Sequence, residues 1–174
     1  MHLRLIPPSP AYFPEIIAFR QEFLDRGERM YGAPSLDKYE YLHDWLAHLD
    51  AFSSPETCPQ GSAPSLQYVT VCQDSGRIVG MANLRLALTP YLREIGGHVG
   101  YCIRPSMQKK RYGKEQLRLC LEKYKSLGFD KVLIACDEDN IASKGTILSA
   151  GGILDGRAKD EIGAIVLRYW ITLK

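Results

Sequence analysis

The chain has no apolar run long enough to span a bilayer, and its opening residues, Met1-His-Leu-Arg-Leu-Ile, reach Pro7 and Pro8 before a signal-type apolar stretch can form. A soluble, cytoplasmic protein with no membrane partner is the expectation. Cysteine is scarce: Cys58, Cys72, Cys102, Cys120 and Cys136 are odd in number and lack the close paired spacing of a zinc site or redox dithiol. Reduced thiols and no metal follow. His43 and His48, five residues apart, also share a helix face poorly as metal ligands. Neither charge sign is in excess, with 22 Lys and Arg against 20 Asp and Glu, so the chain as a whole lacks the field of a nucleic-acid binder. There is no internal repeat and no low-complexity tract. A length of 174 residues at 45% hydrophobic content suits one domain over residues 1–174.

What is present reads as alternating elements. Leu3 and Leu5 alternate with polar neighbours, as in a short edge strand stopped by Pro7 and Pro8. Apolar residues recur at helical spacing over 11–25 and again from Tyr39 to Leu49, with Ser35 placed to cap the second helix. Residues 53–65, rich in Pro and Gly, predict a loop. Strands are expected over 67–73 and 77–88, joined by the hairpin signal Asp74-Ser75-Gly76. A strand from Gly97 to Pro105, a helix carrying Leu117, Cys120, Leu121, Tyr124 and Leu127 and capped by Gly128, a strand over 131–136 and a helix ending near Gly152 come next. The β-prone run from Ile162 to Leu173 closes the sheet. This order predicts an α/β (α+β) fold, with a mixed, mostly antiparallel sheet flanked by helices.

Between the strand ending at Pro105 and the next helix lies Arg104-Pro-Ser-Met-Gln-Lys-Lys-Arg-Tyr-Gly-Lys114, with five cationic side chains and no carboxylate before Glu115. Backbone N–H groups entering a helix, at the positive end of its dipole and ringed by lysines, suit an anion such as a pyrophosphate. Arg104 reads instead as a salt-bridge partner. Tyr112 is the one aromatic residue interleaved with these charges, which argues against a nucleic-acid partner.

Gln108-Lys-Lys-Arg-Tyr-Gly113 resembles the pyrophosphate motif of the GNAT acetyltransferase superfamily: Gln or Arg, two variable residues, Gly, one variable residue, then Gly or Ala. Arg111 stands where the motif has its first glycine. Gly100 to Pro105 is similar to the family's fourth strand, Asp139-Asn140-Ile-Ala-Ser143 to its Asn-containing helix start, and Gly151-Gly152 falls where the family has Gly-Phe. The likeness covers residues 67–173; residues 8–66 carry no family signal.

The resemblance implies an N-acetyltransferase that moves an acetyl group from acetyl-CoA to a primary amine of a small molecule or peptide, by direct attack and without a metal. Its cofactor-binding positions here are Cys102, Ile103, Gln108, Lys109, Lys110, Arg111, Tyr112, Gly113, Lys114, Asn140 and Ser143, with a backbone N–H near Cys102 or Ile103 for the developing oxyanion. His98 occupies a strand position where many members carry a basic glutamate, which makes it the candidate general base; the plainer alternative is a histidine packed on the sheet. Ile147 stands where many members place a proton-donating tyrosine. That departure, with Arg111, supports the alternative of an acyl-CoA-binding or sensing module without turnover. An exposed Arg168-Tyr-Trp-Ile171 edge would permit a homodimer.

Overall fold

A computed structural model of the chain describes residues 2–173. Leu3–Ile6 forms β1, and the hairpin around Gly76 joins β2 (Ser65–Cys72) to β3 (Ile78–Arg85). With β4 (Val99–Ile103) they make an antiparallel sheet in the order β1-β2-β3-β4. The alternation of side chains sorts this sheet into two faces. Val69, Val71, Ile78 and Met81 meet α1 (Phe13–Arg26) and α2 (Leu42–Ala51), whose inward residues include Ile16, Phe19, Phe23, Leu42 and Trp45. Tyr68, Ala82, Leu84 and Val99 meet α3 (Tyr112–Ser126) through Leu117, Cys120 and Tyr124.

Helix α1 ends as its sequence demands. Gly27 adopts φ 63°, its N–H goes to Leu24 O and that of Glu28 to Phe23 O, so two otherwise orphan carbonyls are satisfied. Ser35 does not cap α2. It lies at φ 58° before a single 3-10 turn (Leu36–Lys38), because Trp45 fixes the approach by donating Nε1–H to Pro34 O at 2.9 Å, and the α2 N-cap falls to Tyr41.

A second antiparallel sheet holds β5 (Lys131–Asp137), β7 (Ile165–Thr172) and β6 (Ile153–Lys159), in the order β5-β7-β6. Helix α4 (Ile141–Ser149) packs on α3 and β5. The expected closing strand is therefore the central strand of its sheet, with both edges paired, so the Arg168–Ile171 segment offers no edge to a second copy. The outer strand is β6. The sequence does not announce it, because Asp155, Gly156 and Arg157 break its apolar pattern and Ile153 and Leu154 stay exposed.

The two sheets touch at one isolated antiparallel bridge, Gly97 to Ile134, and then β4 and β5 separate. Glycine is needed at this joint. Its φ is 63°, and a β-carbon there would lie 2.7 Å from Leu133 O and 3.1 Å from Ala135 N. His98 completes the joint: its N–H donates to Leu133 O at 2.7 Å, and its Nδ1 accepts from Leu133 N–H at 2.8 Å.

Candidate active site

Past the joint, β4 keeps only one hydrogen-bonded neighbour. His98 O accepts from Arg85 N–H and Arg104 N–H donates to Val79 O, so by the alternation of an antiparallel ladder the His98 carbonyl and residues 100, 102 and 104 address β3. The backbone groups of Val99, Tyr101 and Ile103 then face the gap toward β5. Of the two strand positions marked in the sequence, Ile103 meets the gap, whereas the Cys102 backbone is turned to β3. Tyr101 takes the place given to Cys102. The Cys102 thiol is no nucleophile either, since burial pushes its pKa up to about 12.

At the C-terminal end of β4 the basic turn leads into α3. Lys109 and Arg111 adopt φ 62° and 66° with Lys110 at negative φ between them, an alternation that curls successive N–H groups toward one concavity. Among the described residues, no protein acceptor meets the N–H groups of residues 109–114, and α3 has no side-chain cap. Lys109, Lys110, Arg111 and Lys114 are exposed around them. The nearest carboxylate in sequence, Glu115, is taken by Arg118 at 2.7 Å. Six open N–H donors along the turn and the first turn of α3, with four cationic side chains on the same segment, are the groups a pyrophosphate requires. Arg111 explains its own departure from the motif: the position requires left-handed backbone, which glycine adopts freely and arginine at a cost of about 1 kcal/mol.

The remaining positions gather at the same end of the gap. A β-carbon at Gly113 would lie 3.7 Å from both Ile103 Cγ1 and Thr146 Oγ1, which brings the turn, β4 and α4 to one point. Gln108 donates its side-chain amide to Ile103 O at 3.3 Å, and Lys110 Nζ donates to Ser106 O at 3.2 Å. Asn140 caps α4, accepting from Ser143 N–H at 3.0 Å, so its side-chain oxygen is already spent and its amide NH2 remains. Ser143 Oγ lies 2.9 Å from Tyr101 OH, a pair between β4 and α4. Burial pushes the Tyr101 hydroxyl up to about 12, so it stays protonated.

His98 stands apart from this gathering. It is 7% exposed, its ring packs against Tyr124, Phe129 and Trp170, and burial pushes its pKa down to about 4 with Arg85 and Arg93 adding in the same direction. A ring whose Nδ1 is held by the joint is a structural pin, not a base. Arg104 is structural as well, fully buried between Glu22 at 2.6 Å and Glu15 at 2.9 Å. Ile147 is buried in the core and supplies no proton donor.

The opposite face of the sheet holds what the sequence did not mark. The segment after α1 lies flat across the strands: Gly32 O accepts from Gln67 Nε2 at 2.7 Å, and a β-carbon at Gly32 or Gly100 would run into backbone. At its β4 end Tyr31 reaches across the gap, its hydroxyl donating to Asp137 at 3.0 Å on β5. Burial, then Asp137, raises the Tyr31 pKa, so the proton stays on the tyrosine. Beside this crossing opens a cleft of about 410 Å³, walled by Leu49, Phe52 and Tyr91 and floored by Asn83 and Arg85. Among the described residues no group of three or more His, Cys, Asp or Glu could hold a metal, and no helix is long and apolar enough to cross a membrane.

Comparison with known proteins places the fold. A putative GnaT-family acetyltransferase from Bordetella pertussis superposes with a TM-score of 0.67 at 16% identity, over 98% of this chain and 95% of that one. RimL, a ribosomal L7/L12 alpha-N-protein acetyltransferase solved with coenzyme A, gives 0.68 at 17% identity, over 98% and 94%. A spermidine N-acetyltransferase SpeG chimera from Vibrio cholerae and hSSAT gives 0.66 at 14%, over 99% and 97%. At these identities the likeness is one of fold. No curated protein matches the chain in sequence. The family model described as "Acetyltransferase (GNAT) domain" matches residues 2–153, reaching well into the half where the sequence showed no family signal. The chain therefore belongs to the GNAT acetyltransferase family.

Proposed function

We propose that the protein transfers an acetyl group from acetyl-CoA to a primary amine that attacks directly, with no covalent enzyme intermediate. The observation that carries this reading is the segment of six open N–H groups and four cationic side chains at the end of the β4 edge that the split between the sheets leaves unpaired. The turn holds the pyrophosphate, and the Tyr101 and Ile103 backbone holds the pantetheine arm along the gap. A backbone N–H on that edge stabilises the developing oxyanion. An amine of pKa about 10 must lose a proton to attack. Asp137, which accepts from Tyr31 across the gap, keeps its second oxygen for that proton, directly or through water. The Tyr101–Ser143 hydroxyl pair on the other face is positioned to return a proton to the departing thiolate, a task the Ile147 position cannot perform. The five free cysteines suit a reducing, cytoplasmic setting.

A binding module without turnover is the second reading, favoured by buried Ile147 and by His98 being spent on the joint. Calorimetric titration with CoA, followed by thiol release from acetyl-CoA over a panel of amines, separates the two. Amine-dependent thiol release supports transfer, CoA binding with no release on any amine supports the module, and no CoA binding rejects both.

A further inference from the structure

The charge of the cleft on the α1–α2 face is unusual for a site that would receive a cationic amine. No aspartate or glutamate lines it. Its floor takes Ser65, Asn83 and Arg85 from paired strands: Ser65 lies opposite Arg85, and Asn83 donates to Ser65 Oγ and to Oε1 of buried Gln67 behind it, each at 3.2 Å. Next to Asn83 on β4 comes Gly100, which adds no side chain. The floor therefore opens at β4 directly beside the gap.

Arg85 dominates that floor. Its Nη1 donates to Gly96 O at 2.7 Å and Gly97 O at 3.0 Å, which fixes the guanidinium plane against the joint. Among the described residues, no acceptor meets its Nε or Nη2 and no carboxylate pairs with it. Burial lowers its pKa, and the neighbours that act the other way are tyrosines. The unspent Nε–Nη2 edge is a two-donor fork of the shape that binds a carboxylate bidentately. Nη2 lies 3.1 Å from where a β-carbon on Gly100 would sit.

We infer that the acceptor carries a carboxylate as well as its amine: it is an amino-acid-like small molecule with an apolar body. The carboxylate lies on the free edge of Arg85, the apolar body against Leu49, Phe52 and Tyr91, and the amine faces Gly100 and the gap. A cleft of about 410 Å³ is the size of a small-molecule site. A polycation such as spermidine would meet the half-buried Arg85 guanidinium in a cleft that no carboxylate lines. The same cation lowers the pKa of a nearby amine, so the uncharged nucleophile is populated more readily. This inference rests on the acetyltransferase reading above.

The test compares acceptors that differ only in the anion. With wild-type protein and acetyl-CoA, thiol release is measured on phenylalanine and leucine, on their decarboxylated amines, on spermidine, on phosphoethanolamine and on a short peptide with a free N-terminus. The expected result is a roughly 10- to 100-fold higher kcat/KM for the amino acid than for its decarboxylated partner, the range of a charge-assisted hydrogen-bonded pair. Arg85→Lys keeps the charge and loses the fork, and is expected to collapse that ratio while CoA affinity, measured by calorimetry, stays unchanged. Turnover that favours spermidine, phosphoethanolamine or the peptide overturns the inference and leaves the acetyltransferase reading standing. An equal rate on each amino acid and its decarboxylated amine does the same. Failure to bind CoA overturns both.

Discussion

The two sides of the β1-β4 sheet solve different binding problems with different parts of the chain. The proposed cofactor side uses residues 101–114 and 140–143, mostly as backbone, because a pyrophosphate asks for N–H donors and positive charge that one strand, one turn and one helix start can deliver. The proposed acceptor side uses side chains that come together only in the folded chain: Arg85 on β3 and Phe52 after α2 at the cleft, with Tyr31 after α1 bonded to Asp137 on β5. A local backbone motif leaves a pattern in the sequence. A side-chain cleft leaves isolated polar residues that resemble any others until the register aligns them.

The largest expected effect falls on the joint that supports both sides. His98 stays neutral in the folded chain until pH about 4, whereas in the unfolded chain it protonates near 6.5. Its contribution is therefore complete above about 6.5 and is lost as pH falls from there to about 4, amounting to ~3 kcal/mol. His98→Asn keeps an acceptor for Leu133 N–H without titrating, so urea denaturation over this window should show a flatter pH slope than wild type. Equal slopes would mean that the joint does not sense the imidazole.

Next in size is the double charge reversal Lys110→Glu/Lys114→Glu. CoA affinity is expected to fall roughly 100-fold, as for the loss of two charge-assisted phosphate contacts, while amino-acid discrimination on the other face is retained in whatever turnover remains. Calorimetry and competition kinetics read the two quantities separately. A change in acceptor preference would show that the faces are not independent.

Tyr31→Phe removes the bond to Asp137 and leaves the ring that Arg29 covers at 5.4 Å. About a tenfold drop in kcat with unchanged CoA affinity is expected from a lost proton-handling contact. An unchanged kcat would reduce the pair to a strut across the gap. The smallest effect is at the turn: Arg111→Gly relieves left-handed strain and should raise stability by about 0.5–1 kcal/mol, visible as a small rise in Tm. A fall in Tm would mean that the arginine side chain contributes more than its backbone costs.

Much of the frame is legible in the order of the amino acids. The strand at 97–105, the basic turn, the capped helix and Asn140 at the next helix start can all be read there because their signals are local: periodicity, caps and uncompensated charge. The features that escape such a reading share one cause. His98 has the sequence parity of Gly100 and Cys102, but Gly97 at positive φ turns the chain at the joint and sets the imidazole on Leu133. The 162–173 run announces a strand without announcing two partners, and β6 lacks the alternation that would reveal one of them.

By itself the sequence determined most of the elements, their order and a basic turn entering a helix, because those follow from spacings of a few residues that the chain cannot evade. Tertiary structure alone decided which strand edge stays open, that His98 is a pin, and that Arg85 faces a cleft with an unspent fork. Each of those depends on groups that the chain separates widely, as Tyr31 and Asp137 are, and that meet only when the sheets have formed.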